Sequence, residues 1–118
     1  MMRVLIAYED SHRSYGGALE GAIRLLRPTV ETSLVHADEL GSGVEHFDPH
    51  LVVSNRPNGV DPGGRAGWVK LSEEPGSLSE VCVGGKRREV ENPGLEELLS
   101  VLDETEELVR TGGEPGGC

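Results

Sequence analysis

Two short segments, Arg3–Asp10 (RVLIAYED) and Pro49–Pro57 (PHLVVSNRP), decide the fold of this chain. Each is an aliphatic run that ends abruptly in polar residues, as expected for a strand buried on both faces of a parallel sheet. One helical pattern, a further strand pattern and a short second helix separate the two segments. With right-handed crossovers this order predicts a sheet order of 2-1-3, in which the first and third strands are neighbours. Their carboxyl ends then open into one crevice, which is where open α/β sheets bind ligands.

The elements between these two strands follow from periodicity. A helical pattern capped by Ser11 or Ser14 runs to about Arg27, and a strand pattern follows over Thr29–His36. Asp38 is expected to cap the short second helix. The apolar face of that helix consists of Leu40, Val44 and Phe47.

The second half of the chain predicts an antiparallel edge to the sheet. Trp68–Ser72 has the pattern of a fourth strand. Glu80–Val83 and Lys86–Val90 flank the dipeptide Gly84-Gly85, which is a strong signal for a two-residue hairpin turn. We therefore expect the fourth strand and this hairpin to form an antiparallel or mixed meander at the sheet edge.

The final helix has the clearest pattern. Asn92 is expected to cap it, with Pro93 at its first position. Its predicted apolar stripe consists of Leu95, Leu98, Leu99, Leu102 and Leu108. Its predicted acidic outer face consists of Glu96, Glu97, Asp103, Glu104, Glu106 and Glu107. This face is either simply solvated or a docking face for a basic partner.

The totals restrict the classes of protein to which the chain belongs. Its 118 residues predict one domain over residues 1–110 and a disordered, Gly/Pro-rich tail over residues 111–118. A formal charge of −10 argues against binding nucleic acid or an anionic membrane. No apolar run is long enough for a membrane span or a signal peptide. Cys82 and Cys118 suggest neither a disulfide framework nor a metal site, so a cytoplasmic location is expected.

Three motifs occur in a fixed order along the chain. VLIAYED is an aliphatic strand that ends in an acid pair, FDPHLVVSNRP looks like the pattern P-D-L-I-(aliphatic)-(aliphatic)-D-x-x-P, and NPGLEELLSVL opens the last helix. In this order they resemble the receiver domains of bacterial response regulators. The resemblance implies a three-layer, flavodoxin-like α/β fold, here with a parallel core in the order 2-1-3 and an antiparallel edge hairpin.

The resemblance also assigns roles to individual positions. Glu9 and Asp10 match the acid pair that helps to hold magnesium in receivers, and Ser72 matches the switch hydroxyl. Asn55 falls at the phosphoacceptor aspartate, and Asn92 falls where a lysine precedes the proline. An amide lacks the nucleophilic carboxylate oxygen that forms an acyl phosphate. The resemblance therefore implies a receiver-like module that is not phosphorylated.

The crevice could still hold a ligand. Carboxylate oxygens at Glu9 and Asp10 suit Mg²⁺, although two adjacent acids at a strand end also have a purely structural interpretation. Arg13, Arg56 and Arg65 lie near the same mouth in this topology and suit a carboxylate or phosphate group. The candidate ligand-binding set is Glu9, Asp10, Asn55, Arg56, Arg65 and Ser72.

Three functions therefore remain open. The first is a non-catalytic regulatory or protein-interaction module, with a protein partner or a homodimer. The second is a small domain that binds an anionic ligand or a divalent metal at the crevice. The third is a small enzyme with His12 as a base, but no nucleophile motif, phosphate loop or dinucleotide fingerprint accompanies that histidine.

Overall fold

The computed structural model describes residues 2–9, 13–54, 67–71, 78–91 and 94–111. The strands are β1 (Arg3–Tyr8), β2 (Glu31–His36), β3 (Leu51–Ser54), β4 (Gly67–Lys70), β5 (Leu78–Val83) and β6 (Lys86–Glu91). The helices are α1 (Arg13–Leu26), α2 (Leu40–Phe47) and α3 (Leu95–Arg110). The predicted tail lies outside the described residues from position 112 onward.

The six strands form one mixed sheet in the order β2-β1-β3-β4-β5-β6. The first four strands in that order are parallel to one another. β5 runs antiparallel to β4, and β6 runs antiparallel to β5. The predicted order 2-1-3 and the antiparallel edge hairpin are both confirmed.

Helices cover both faces of this sheet, because successive residues of a strand point to opposite faces. Side chains on one face pack with α1 and α3; they include Val4, Ile6, Val53, Val69 and Val81. Side chains on the other face form a smaller cluster of Leu5, Val52, Trp68 and Cys82, against which the predicted apolar face of α2 packs. The crossovers thus place α1 and α2 on opposite sides of β1.

The turn between β5 and β6 has the backbone that its sequence predicts. Gly84 and Gly85 have φ angles of 59° and 84°. Positive φ at both central residues is the type I′ combination, whose twist matches that of the two flanking strands. The predicted hairpin is therefore confirmed.

The predicted caps of α2 and α3 are wrong. A 3₁₀ turn over Ala37–Glu39 leads into α2, and the N-cap is Glu39 without a side-chain cap. Asp38 instead donates its backbone N–H to His36 Nδ1 over 3.1 Å. α3 has Gly94 in extended backbone as its N-cap, two residues beyond Asn92.

The buried face of α3 differs from the predicted leucine stripe. Its buried residues are Leu98, Val101, Leu102 and Thr105, which follow the i, i+3, i+4, i+7 spacing of one helix face. Leu95 is 39% exposed and so lies at the margin of this face. The Thr105 hydroxyl donates to the Val101 carbonyl oxygen over 2.8 Å, which satisfies a polar group in the core.

A bidentate ion pair joins the end of α1 to α3. Arg27 Nε and Nη2 each lie 2.8 Å from one carboxylate oxygen of Asp103. The hydrogen bonds from Arg27 hold the pKa of Asp103 below its ordinary value, and they raise the pKa of Arg27. This pair therefore has a structural role, since it connects the two helices on the same face of the sheet.

Two expectations about the compartment have different outcomes. Cys82 in β5 is disulfide-bonded, so the expectation that the cysteines form no disulfide is wrong for this residue. The argument from cysteine usage for a reducing cytoplasm therefore no longer holds. Among the described residues, no helix is long and apolar enough to cross a membrane.

Candidate functional site

The carboxyl ends of the four parallel strands lie together at one end of the sheet. Ser54 of β3 is aligned with Ala7 of β1 on one side and with Lys70 of β4 on the other. We call the end of the sheet formed by Tyr8, Glu9, His36, Ser54 and Lys70 the carboxyl edge. It is the crevice position that the sequence predicts for a ligand.

Of the predicted site residues, the structure describes only Glu9. This residue follows β1 directly and is partly exposed. The others, Asp10, Asn55, Arg56, Arg65 and Ser72, lie outside the described residues, as does His12. Their convergence on one ligand stays a prediction.

Ser54 fixes the point at which the chain leaves the sheet before Asn55. Its side chain is only 6% exposed, and its carbonyl oxygen accepts the backbone N–H of Leu71 over 2.7 Å. The position just before Asn55 is therefore held by both neighbouring strands. Asn55 is the next residue in the sequence.

Lys70 brings a cation to the carboxyl edge that the sequence analysis missed. Its ammonium nitrogen lies 4.7 Å from the ring centroid of Trp68, and the Arg87 guanidinium carbon lies 5.3 Å from the same centroid. Trp68 itself is 2% exposed and belongs to the core. Stacking on an indole orients the ammonium group. The signal in the sequence is the lysine that ends the strand WVK, directly before the predicted crevice.

His36 has a structural role at the same edge. Its ring makes an edge-to-face contact with Tyr8, at 5.8 Å between centroids and 74° between planes. Its Nδ1 lies 3.1 Å from the backbone nitrogen of Asp38 and 3.4 Å from Asp38 Oδ2. The histidine thereby fastens the start of the 3₁₀ turn to the end of β2.

A groove of about 410 Å³ lies elsewhere, at the amino end of β2. Its lining residues are Arg24, Pro28, Val30, Glu31, Thr32 and Phe47. Arg24 Nε donates to Thr32 Oγ1 over 3.0 Å across its wall. The groove therefore follows the outer edge of the sheet and does not belong to the carboxyl edge.

Metal-binding groups are absent from the part of the chain that the structure describes. There, no three or more His, Cys, Asp or Glu side chains are grouped so that they could hold an ion. The predicted Mg²⁺ pair includes Asp10, which lies outside that part. The magnesium hypothesis therefore stays a prediction.

Comparison with known proteins identifies no family. No protein-family model matches the sequence, and no curated protein or solved structure is significantly similar to it.

Proposed function

We propose that this protein is a non-catalytic regulatory or protein-interaction module with a receiver-like, flavodoxin-like fold, and that it is not phosphorylated at Asn55. The observation that carries the proposal is the alignment of Ala7, Ser54 and Lys70 at the carboxyl edge. This alignment puts the end of β3 between two parallel strands. A receiver needs a carboxylate directly after that point, and the sequence has an amide there.

The arrangement of the helices supports the same proposal. α1 and α2 lie on opposite faces of the sheet, as doubly wound domains require. The third parallel connection leads to β4. The β5–β6 hairpin then completes the sheet, and α3 packs on one face of it. The crevice of the proposed module therefore lies in the parallel half of the sheet, and the antiparallel half ends in the edge strand β6.

Phosphotransfer from a small donor tests this proposal. The full chain and its Asn55→Asp variant are incubated with acetyl phosphate and Mg²⁺, and intact masses are measured. We expect no phosphoryl adduct on the wild-type chain and one adduct on Asn55→Asp. Asn58→Asp is the matched control, since it adds a carboxylate to the same segment three residues later.

Each outcome of that experiment has a defined meaning. A phosphoryl adduct on the wild-type chain would contradict the claim that the module is not phosphorylated. Equal labelling of the Asn55→Asp and Asn58→Asp variants would contradict the receiver-like placement of residue 55. Failure to label the Asn55→Asp variant would also contradict it.

A second candidate function, binding of a small anion, is favoured by Lys70. Lys70 is the register partner of Ser54 at the carboxyl edge, where the crevice of a parallel sheet opens, and its ammonium group lies over the Trp68 ring. A bound phosphate or carboxylate would draw this ammonium group away from the Trp68 ring. Because Trp68 is the only tryptophan, its fluorescence would report that movement.

Titration with inorganic phosphate at constant ionic strength tests the second candidate. We expect a saturable change in tryptophan fluorescence with the wild-type protein and none with Lys70→Met. Lys86→Met is the control, because it removes an exposed lysine from β6. A linear, unsaturable response of the wild-type protein would exclude phosphate binding at Lys70.

A further inference from the structure

Two residues of β2, Thr32 and Leu34, turn their backbone groups away from the sheet. Glu31 donates its N–H to the Met2 carbonyl oxygen over 2.9 Å, so the backbone of Glu31 faces β1. Because backbone groups alternate in direction along a strand, those of Thr32 and Leu34 point away from the sheet. Among the residues that the structure describes, no strand pairs with this edge.

The two edges of the sheet differ in their protection. The other edge strand, β6, has the sequence KRREVE, in which five of the six residues are charged. Such charges oppose pairing with another chain. β2, with the sequence ETSLVH, has one acidic residue and one histidine. Its edge is therefore the one suited to accept another strand.

The sequence of β2 is suited to pairing with itself. In an antiparallel pair centred on Ser33, Thr32 of each copy lies opposite Leu34 of the other. These residues are the ones whose backbone groups point outward, so roughly four inter-strand hydrogen bonds form. The two serines meet on the two-fold axis as a pair without backbone hydrogen bonds, where the strands are closest and small side chains fit best.

The groove at the amino end of β2 provides space for the second copy. In the register centred on Ser33, Val30 lies opposite His36 of the other copy. The carboxyl end of the second β2 therefore passes along the groove walls formed by Val30 and Glu31. A strand added to a sheet edge uses such side-chain recesses for specificity, while its backbone provides affinity.

We propose that two copies of this chain associate through β2, antiparallel and about a two-fold axis, to form one continuous sheet. This interface deepens the protein-interaction function proposed above and rests on it. Each copy has a formal charge of −10, so the copies repel each other at long range. Salt screens this repulsion, and association therefore becomes stronger as the salt concentration rises. Docking of a basic partner would have the opposite salt dependence.

Sedimentation equilibrium and hydrogen exchange of the full chain test the proposal. We expect a mass of twice 12.6 kDa at high protein concentration and slower exchange of the amides of β2 as the dimer forms. Thr32→Pro removes one outward N–H that β1 does not use, so the fold tolerates it. It should weaken association by about tenfold or more.

Thr32→Val is the matched control, because it removes the hydroxyl that Arg24 contacts and keeps the backbone N–H. We expect it to associate like the wild-type chain. If Thr32→Pro does not fold, the concentration dependence of exchange in the wild-type chain decides the question. A chain that is monomeric at every concentration, or a dimer whose β2 amides stay unprotected, overturns the proposal. Neither result depends on phosphotransfer at Asn55, so the two proposals fail separately.

Discussion

At Gly67, at the start of β4, the backbone leaves no room for a side chain. A Cβ atom at this position would lie 2.9 Å from the Cys82 carbonyl oxygen and 3.1 Å from Thr105 Oγ1. The first of these atoms belongs to the neighbouring strand and cannot move without disturbing the β4–β5 pairing. Glycine is therefore required by the contact between the sheet and α3.

We expect Gly67→Ala to lower the free energy of unfolding by about 1–3 kcal/mol, which is the range for an overpacked core. The measurement is urea denaturation followed by circular dichroism. Gly21→Ala is the control: nothing lies within 4 Å of its Cβ position in α1, so it should stabilise the chain by about 0.5–1 kcal/mol. Equal stability of Gly67→Ala and the wild-type chain would contradict the close approach.

At the scale of the element, α3 shows how burial sets the energetic weight of a side chain. Leu102 is 1% exposed among the strands and α1, whereas Leu25 of α1 is 80% exposed. We expect Leu102→Ala to cost about 2–5 kcal/mol, because it loses apolar burial and leaves a cavity. Leu25→Ala should change the stability little. Thermal and urea denaturation of both variants would check this. Similar losses of stability in the two variants would contradict the packing of α3 on the sheet.

The ion pair between α1 and α3 predicts a pH dependence. Because the pKa of Asp103 is lower in the folded protein than in the unfolded chain, the unfolded chain takes up its proton first as the pH falls. The stabilisation from this pair is therefore present above pH 3.8, the ordinary value, and is lost as the pH falls below it. We expect Asp103→Asn to lower the melting temperature near neutral pH, and this effect should shrink as the pH falls below the ordinary pKa of an aspartate.

Circular dichroism melting curves across this pH range provide the measurement. The Arg27→Met and Asp103→Asn variants and their double variant form a cycle that isolates the pair. Additive losses of melting temperature at neutral pH would show that the two side chains do not interact. If the difference in melting temperature between the wild-type chain and Asp103→Asn stays the same at acidic pH, the effect of Asp103 has another cause.

The elements were predictable where the sequence has a continuous aliphatic run or a dipeptide that is typical of one turn type. β1, β3 and the Gly84-Gly85 turn follow from such local signals. The starts of α2 and α3 were not predictable in this way: Asp38 and Asn92 are good caps by residue type, but Glu39 and Gly94 occupy the N-cap positions. The burial of Val101 and Thr105 could have been predicted from the helical spacing with Leu98 and Leu102. The predicted stripe instead followed the leucines, which are more numerous in this helix.

The carboxyl edge itself was predictable, whereas one of its residues, Lys70, was not. Parallel strands place the carboxyl edge, and the sequence indicates where β1 and β3 end. Lys70 was missed because its position beside Ser54 depends on the pairing of β3 with β4. That pairing follows a segment, residues 55–66, without helical periodicity, so no local pattern specified it.

At the scale of the whole molecule, the net charge opposes compactness. A formal charge of −10 on 118 residues produces self-repulsion that is strongest at low ionic strength. We expect the melting temperature at high dilution to rise from about 0.01 M to about 1 M potassium chloride, as the Debye length falls from about 30 Å to about 3 Å. A melting temperature that falls with salt would show that local ion pairs outweigh the repulsion.

The position of β1 in the middle of the parallel half has a consequence for the order of folding. β5 and β6 pair across a two-residue turn, and a hairpin of this kind forms in about 1–10 μs. Val4 of β1, by contrast, pairs with Leu51 of β3, which lies far along the chain. During synthesis β1 therefore waits for β3 before both of its edges are paired. Until then, an aliphatic strand is exposed, and this is the stage at which a chaperone would have most effect.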